Sequence, residues 1–239
     1  MERWNGFRQK KFVFEGVEAV VVFPEKSDEK KNWMLKTEYF GAFPDVEIRL
    51  IEKGYPLADL QNISRFATEE DCHRKARFAE YLSEKYGLRD KCIPVGMSCG
   101  GAHAVNFAGF HPEKVLCMFI DAPVLNFCDF PARKCWDSVW KNEFVKAYPG
   151  MERYKLPGFS NHPIGKTDIL IENKIPILRV YGTEDNTVLY EVNGALLEQA
   201  YENQPGLLTV MPVGARGHHP HGLIGDNSPI VEYIIANSR

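Results

Sequence analysis

From Tyr55 to the end of the chain, strand-like and helix-like segments alternate, and this order limits the fold more than any single segment does. "YPLADLQ" reads as a strand. "TEEDCHRKARFAEYLSEKYG" reads as a long amphipathic helix that opens on acidic residues and closes at Gly87, and "KCIPVGM" as a fully buried strand. A helix then runs to about Phe110, followed by the buried strand "KVLCMFIDAPV". Later come the strand "IPILRVYG", the helix "YEVNGALLEQAYEN", the strand "LLTVMPV" and a closing helix "SPIVEYIIANS". Strands separated by helices connect through right-handed crossovers, which gives a parallel sheet with helices on its faces. Ahead of this run, "KFVFEG" and "EAVVVFP" read as an antiparallel pair turning at Gly16, and "NWMLKTEYFG" as a third strand entering a loop. "DVEIRLIEKG" is a short helix stopped by Gly54. The expected architecture is α/β: a mostly parallel eight-stranded sheet flanked by helices, in one domain over residues 1–239. At 44% hydrophobic residues, a chain of 239 can fill such a core.

One stretch breaks the rhythm. Residues 126 to 173, approximately, hold Pro131, Pro149, Pro157 and Pro163 among Phe127, Phe130, Trp136, Trp140, Tyr148, Tyr154 and Phe159. Linkers rarely carry so many large aromatics, so the stretch reads as a cap inserted between sheet strands.

The charge balance narrows the partners. The 29 basic and 32 acidic residues are interspersed and sum to a net −3, so no basic field exists to draw nucleic acid or an anionic membrane. The N-terminal "MERWNGFRQKKFVFEG" is charged every few residues and lacks a signal peptide's apolar stretch, and nowhere do 18 apolar residues run together. A cytoplasmic location is expected. Cys72, Cys92, Cys99, Cys117, Cys128 and Cys135 are scattered without C-x-x-C pairs, which argues for reduced, mostly buried thiols; Cys128 and Cys135 could pair only in an oxidising setting. No phosphate-binding glycine pattern follows a strand, so no cofactor is expected.

Functional groups in a parallel sheet gather at the carboxyl ends of strands. Three loops here carry matching chemistry. Ser98 sits in "GMSCGG" between a buried strand and a small-residue helix, Asp185 in "VYGTEDNTV", and His218, His219 and His221 in "GARGHHPHG". A serine hydroxyl is a poor nucleophile until an imidazole takes its proton, and the imidazole works best with its tautomer fixed by a carboxylate. The pattern G-x-S-x-G alone is a weak signal. Its weight comes from the strand before it, the helix after it, and the chain order Ser, Asp, His.

With these elements together, the chain resembles the α/β-hydrolase superfamily, along nearly its whole length: the opening strands, the elbow "GMSCGG", the acid loop "YGTEDNTV", the histidine loop "GHHPHG" and the insertion where family members carry lids. The resemblance implies a strained elbow around Ser98, with Gly96, Gly100 and Gly101 supplying the small neighbours. It implies an oxyanion hole from the Cys99 N–H and a second N–H in "KTEYFG", from Glu38 or Tyr39, with Glu38 preferred. A carboxylate beside such a hole opposes the charge to be stabilised. Glu38 must therefore point away, pair with Lys36, or bind a substrate hydroxyl or amine.

The base is His218 by its place after Gly217, with His219 as rival and His221 left to cap or line the pocket. Asp185 is the preferred acid over Asp121 of "IDAPV", which also ends a strand. Zinc at the histidines lacks a matching distant ligand pair, so no metal is expected. The implied activity is hydrolysis of a small-molecule carboxylic ester through an acyl-enzyme. A thioesterase, a peptidase and a non-catalytic binding module stand as alternatives. Tyr39, Trp136, Trp140 and His219 are candidate substrate contacts. Phe127 and Phe130 could join the tryptophans in stacking on a sugar or aromatic group, against a competing reading in which these aromatics simply pack the cap.

Overall fold

The computed structural model describes residues 2–239. Its strands are β1 (Arg3–Trp4), β2 (Phe7–Phe14), β3 (Val17–Phe23), β4 (Met34–Lys36), β5 (Leu57–Leu60), β6 (Ile93–Met97), β7 (Met118–Asp121), β8 (Ile177–Gly182) and β9 (Leu208–Val213). They form one sheet in the order β1-β2-β3-β5-β4-β6-β7-β8-β9. Pairings from β1 through β3 to β5 are antiparallel, and all those from β5 on to β9 are parallel. The eight expected strands are β2 to β9. The ninth, β1, is a two-residue edge strand that Asn5 and Gly6, both at positive φ, fold back onto β2. Two residues are too few to leave a periodic signal.

The helices are α1 (Asp45–Glu52), α2 (Glu69–Tyr86), α3 (Cys99–Phe110), α4 (Ala132–Cys135), α5 (Val139–Ala147), α6 (Thr167–Glu172), α7 (Gly194–Tyr201) and α8 (Ser228–Asn237). In β3 the period of two assigns alternate residues to opposite faces: Ala19 and Val21 pack with α2, α3, α6 and α7, while Val20 and Val22 pack with α1 and α8. Local signals set the helix ends. At α2, Thr68 caps the Asp71 N–H, three acidic residues fill the first turn, and Gly87 closes the helix at φ 64°. No helix among the described residues is long and apolar enough to cross a membrane.

Between β7 and β8 the chain forms α4, α5, two 3₁₀ turns and α6 over a third apolar cluster containing Phe66, Phe127, Phe144 and Leu156. Helix α6 packs on α3 and α7, so the helical layer of the sheet resumes inside the stretch expected as cap. The expected helix "YEVNGALLEQAYEN" is interrupted at Asn193, with a 3₁₀ turn before it and α7 after it. Buried Asn193 accepts from Leu125 N and Asn126 N through Oδ1 and donates to Asp129 Oδ2 and Leu189 O through Nδ2. Tertiary hydrogen bonds outweigh helix continuity there.

Candidate active site

The elbow is built by close packing. Ser98 has φ 52° and ψ −119°, a conformation costing about 1–3 kcal/mol for a residue with a side chain. Its N–H donates to Asp121 O (3.0 Å), and its carbonyl accepts from Gly101 N (3.0 Å) and Val124 N (2.9 Å). The strand before it and the helix after it leave no room for neighbours with side chains: a Cβ on Gly96 would lie 2.3 Å from Gly100 O, and one on Gly101 2.3 Å from Pro123 Cβ. The turn lifts the Ser98 side chain to the sheet's carboxyl edge, where the loops after β8 and β9 arrive.

Three expected residues meet there. His218 Nε2 lies 3.0 Å from Ser98 Oγ, and His218 Nδ1 lies 2.7 Å from Asp185 Oδ2. Asp185 accepts two further N–H groups on Oδ1, from Thr187 (2.8 Å) and Val188 (3.0 Å). Burial pushes its pKa up, but the His218 hydrogen bond and charge, together with those N–H groups, outweigh burial and hold it below the ordinary carboxylate range. An ionised carboxylate accepts the Nδ1–H, which holds the imidazole proton on Nδ1 and leaves Nε2 to accept the Ser98 hydroxyl proton.

The rivals have other partners. Asp121, wholly buried at the end of β7, accepts from Arg216 Nη1 (2.9 Å), Arg216 Nη2 (2.6 Å) and Gly222 N (2.6 Å), with His221 Nδ1 at 3.3 Å. Burial raises its pKa, and His221 and Arg216 together overcome that and lower it. The pair pins both ends of the histidine loop around His218. This clamp escaped the sequence reading, although Arg216 stands inside the quoted "GARGHH"; an arginine two residues from a candidate base was the available signal. His219 is exposed and stacks on Phe43 (centroids 5.7 Å, 13°), and it reaches neither Ser98 nor Asp185. His218, His219 and His221 bring ligand atoms within 4.8 Å of one another. Two of the three already face Asp185, Ser98 or Asp121.

On the oxyanion side, Cys99 opens α3, so its N–H is one of the helix's unpaired first-turn donors. The Glu38 N atom lies 3.5 Å from where a Cβ on Gly100, the next residue of α3, would sit. The Cys99 thiol is buried against the Tyr39 hydroxyl, and burial first of all raises its pKa to about 12, so it stays neutral. Tyr39, at φ 59°, is held neutral in turn by burial and by Cys99. Of the alternatives open to Glu38, pairing with Lys36 is excluded: Lys36 pairs with buried Glu47, because β4 aims it under α1. The Glu38 carboxylate instead accepts from Asn62 Nδ2 at 2.5 Å.

The cap aromatics pack mainly with each other. Phe127 is fully buried, Phe130 and Trp136 are nearly so, and all three join the third cluster around Phe144. Trp136 packs into the cap's own core and also borders a surface pocket with Lys141, Glu152, Arg153 and Tyr154. Trp140 is half-buried under Arg65, whose guanidinium lies 4.4 Å above the ring. A groove of about 1210 Å³ runs beside the oxyanion loop, with Trp4, Tyr39, Phe40, Arg65 and Glu143 in its walls. Ser98 and His218 do not line it; it approaches the site through Glu38 and Tyr39. All six cysteines are free thiols, with Cys128 and Cys135 half-buried.

This sheet order, elbow and chain order of Ser98, Asp185 and His218 define the α/β-hydrolase fold. Solved structures agree. The chain is similar to fluorophosphonate-binding serine hydrolase F of Staphylococcus aureus (14% identity, TM-score 0.69, 98% of each chain) and to Est1E of Butyrivibrio proteoclasticus (14%, 0.66, 96% of this chain and 98% of that one). It is also similar to a putative dipeptidyl aminopeptidase IV from Bacteroides ovatus (15%, 0.70), covering 97% of this chain but spanning only 35% of that one. No protein-family model and no curated protein matches the sequence.

Proposed function

We propose that this chain is a serine hydrolase that cleaves a carboxylic ester of a small molecule. The observation that carries the reading is the continuous path from Asp185 to His218 Nδ1, and from His218 Nε2 to Ser98 Oγ, at 2.7 and 3.0 Å. Ser98 Oγ attacks the ester carbonyl carbon as its proton passes to His218 Nε2. The oxygen that becomes negative is met by the N–H groups of Cys99 and Glu38, beside the positive end of α3. The carbon–oxygen bond to the leaving alcohol then breaks, and His218 returns the proton to that oxygen. Water repeats the sequence on the acyl-Ser98 ester, giving the acid and free serine. No metal or cofactor takes part. Substrate extending past Glu38 and Tyr39 enters the groove they border.

An ester substrate is favoured over a peptide because the esterase and serine hydrolase neighbours align over the whole of both chains, whereas the chain covers about a third of the peptidases. The cytoplasm is the proposed location. Labelling by a fluorophosphonate probe tests the reading without knowledge of the substrate: wild type takes up the probe on Ser98, and Ser98→Ala does not. A panel of p-nitrophenyl esters, an acyl thioester and an aminoacyl amide then separates the substrate classes. Folded wild type that neither labels nor turns over any of them overturns the reading and leaves a binding module.

A further inference from the structure

In the proposed reaction the Glu38 backbone N–H is an oxyanion donor, and its side chain carries a charge of the sign that the oxyanion site must exclude. A set of buried groups on the other side of the loop addresses this conflict. Asn62, just beyond β5, donates from Nδ2 both to Thr37 O (2.7 Å) and to Glu38 Oε2 (2.5 Å). Its Oδ1 accepts from Lys75 Nζ. The orientation of the amide is fixed by its partners, since a carbonyl and a carboxylate accept while Lys75 donates. Lys75 lies wholly buried on α2, with its Nζ also 3.4 Å from Nδ1 of buried His103 on α3. His103 Nε2 donates to Ser64 O at 2.8 Å. Asp71 completes the support: its carboxylate accepts from Ile63 N (2.8 Å), Ser64 N (3.2 Å) and Thr68 Oγ1 (2.7 Å). The 61–68 loop is thus tied to two helices, and Asn62 ties the 37–38 backbone to that loop.

We propose that Asn62, backed by Lys75, is a positioning residue that holds the Glu38 carboxylate away from the oxyanion site while fixing the Glu38 N–H toward it. The inference rests on the serine hydrolase reading. One side-chain amide serves both ends because it bonds to the backbone and to the carboxylate of adjacent residues. Losing it frees a negative charge to swing toward the developing oxyanion and loosens one of its two donors.

The test is a double-mutant cycle with a structural readout. Asn62→Ala lowers kcat on a p-nitrophenyl ester about thirtyfold, within the range that weakening one oxyanion donor produces, and changes KM by no more than about twofold. In a Glu38→Gln background no carboxylate remains to swing toward the oxyanion, and the same substitution costs only what the loosened donor contributes, about threefold. Asn62→Asp, which keeps the Lys75 contact and loses both donors, falls with Asn62→Ala. Amide hydrogen exchange over residues 36–43 speeds about tenfold in Asn62→Ala, with the rest of the sheet unchanged. Equal losses in both backgrounds, or unaltered exchange in that segment, overturn the proposal. A wild type that does not label on Ser98 overturns the hydrolase reading instead, and the exchange measurement then decides the clamp alone.

Discussion

Two aspartates end adjacent parallel strands, Asp121 on β7 and Asp185 just beyond β8, and they meet opposite fates. Asp185 turns one oxygen to the His218 imidazole and steadies the other with two loop N–H groups. Asp121 has both oxygens taken by a buried arginine and a loop N–H, with His221 against it. The first arrangement leaves a proton path open to Ser98; the second converts a carboxylate into a fastener for the loop that carries His218. Position at a strand end makes a residue available for chemistry, and its partner decides whether it does any.

The comparison is sharpest in the two Asp→Asn variants. Asp185→Asn keeps the geometry but favours the wrong His218 tautomer, so kcat falls by about 10³–10⁴ with folding intact, as read by steady-state kinetics and circular dichroism. A loss under tenfold would make Asp185 a structural residue as well. Asp121→Asn leaves Arg216 buried without its counter-charge and costs about 3–5 kcal/mol, or roughly 6–20 °C in unfolding midpoint. The folded fraction keeps kcat within about tenfold. Should Asp121→Asn instead abolish turnover without lowering the midpoint, the two roles are reversed.

Smaller effects refine the contrast. Asp59, on β5 near Lys75 and Glu38, is raised to about 7, mainly by burial. The folded chain therefore binds a proton that the unfolded chain releases above about pH 4, and this group's contribution to stability declines as pH climbs from there to about 7. The midpoint of Asp59→Asn relative to wild type should rise across that window; a flat difference would refute the shift. His219→Ala alters kcat by no more than about threefold, because the exposed ring contacts neither Ser98 nor Asp185, whereas His218→Ala matches the loss of Ser98. Equal losses for both histidines would reopen the identity of the base.

Much of this was legible from local pattern. The β2 to β9 strands, α2 with its Thr68 and Gly87 ends, and the elbow at Ser98 all follow from periodicity, caps and glycine spacing within a few residues of each other. The break at Asn193 was hidden, because its cause lies at Leu125, Asn126 and Asp129. The burial of Trp136 was hidden for the same reason, since aromatic composition does not distinguish a cap's own core from a surface offered to a ligand.

By itself the sequence determined the order of elements and the three loops at the sheet's carboxyl edge, because hydrophobic period and turn chemistry act over short stretches of chain. Only the tertiary structure decided the partners. Asp185 and Ser98 are 33 and 120 residues from His218, and Asp121 is 95 residues from Arg216. Which buried charge finds which partner depends on where folding sets each strand end and loop, to within a hydrogen-bond length, and no local pattern encodes that distance.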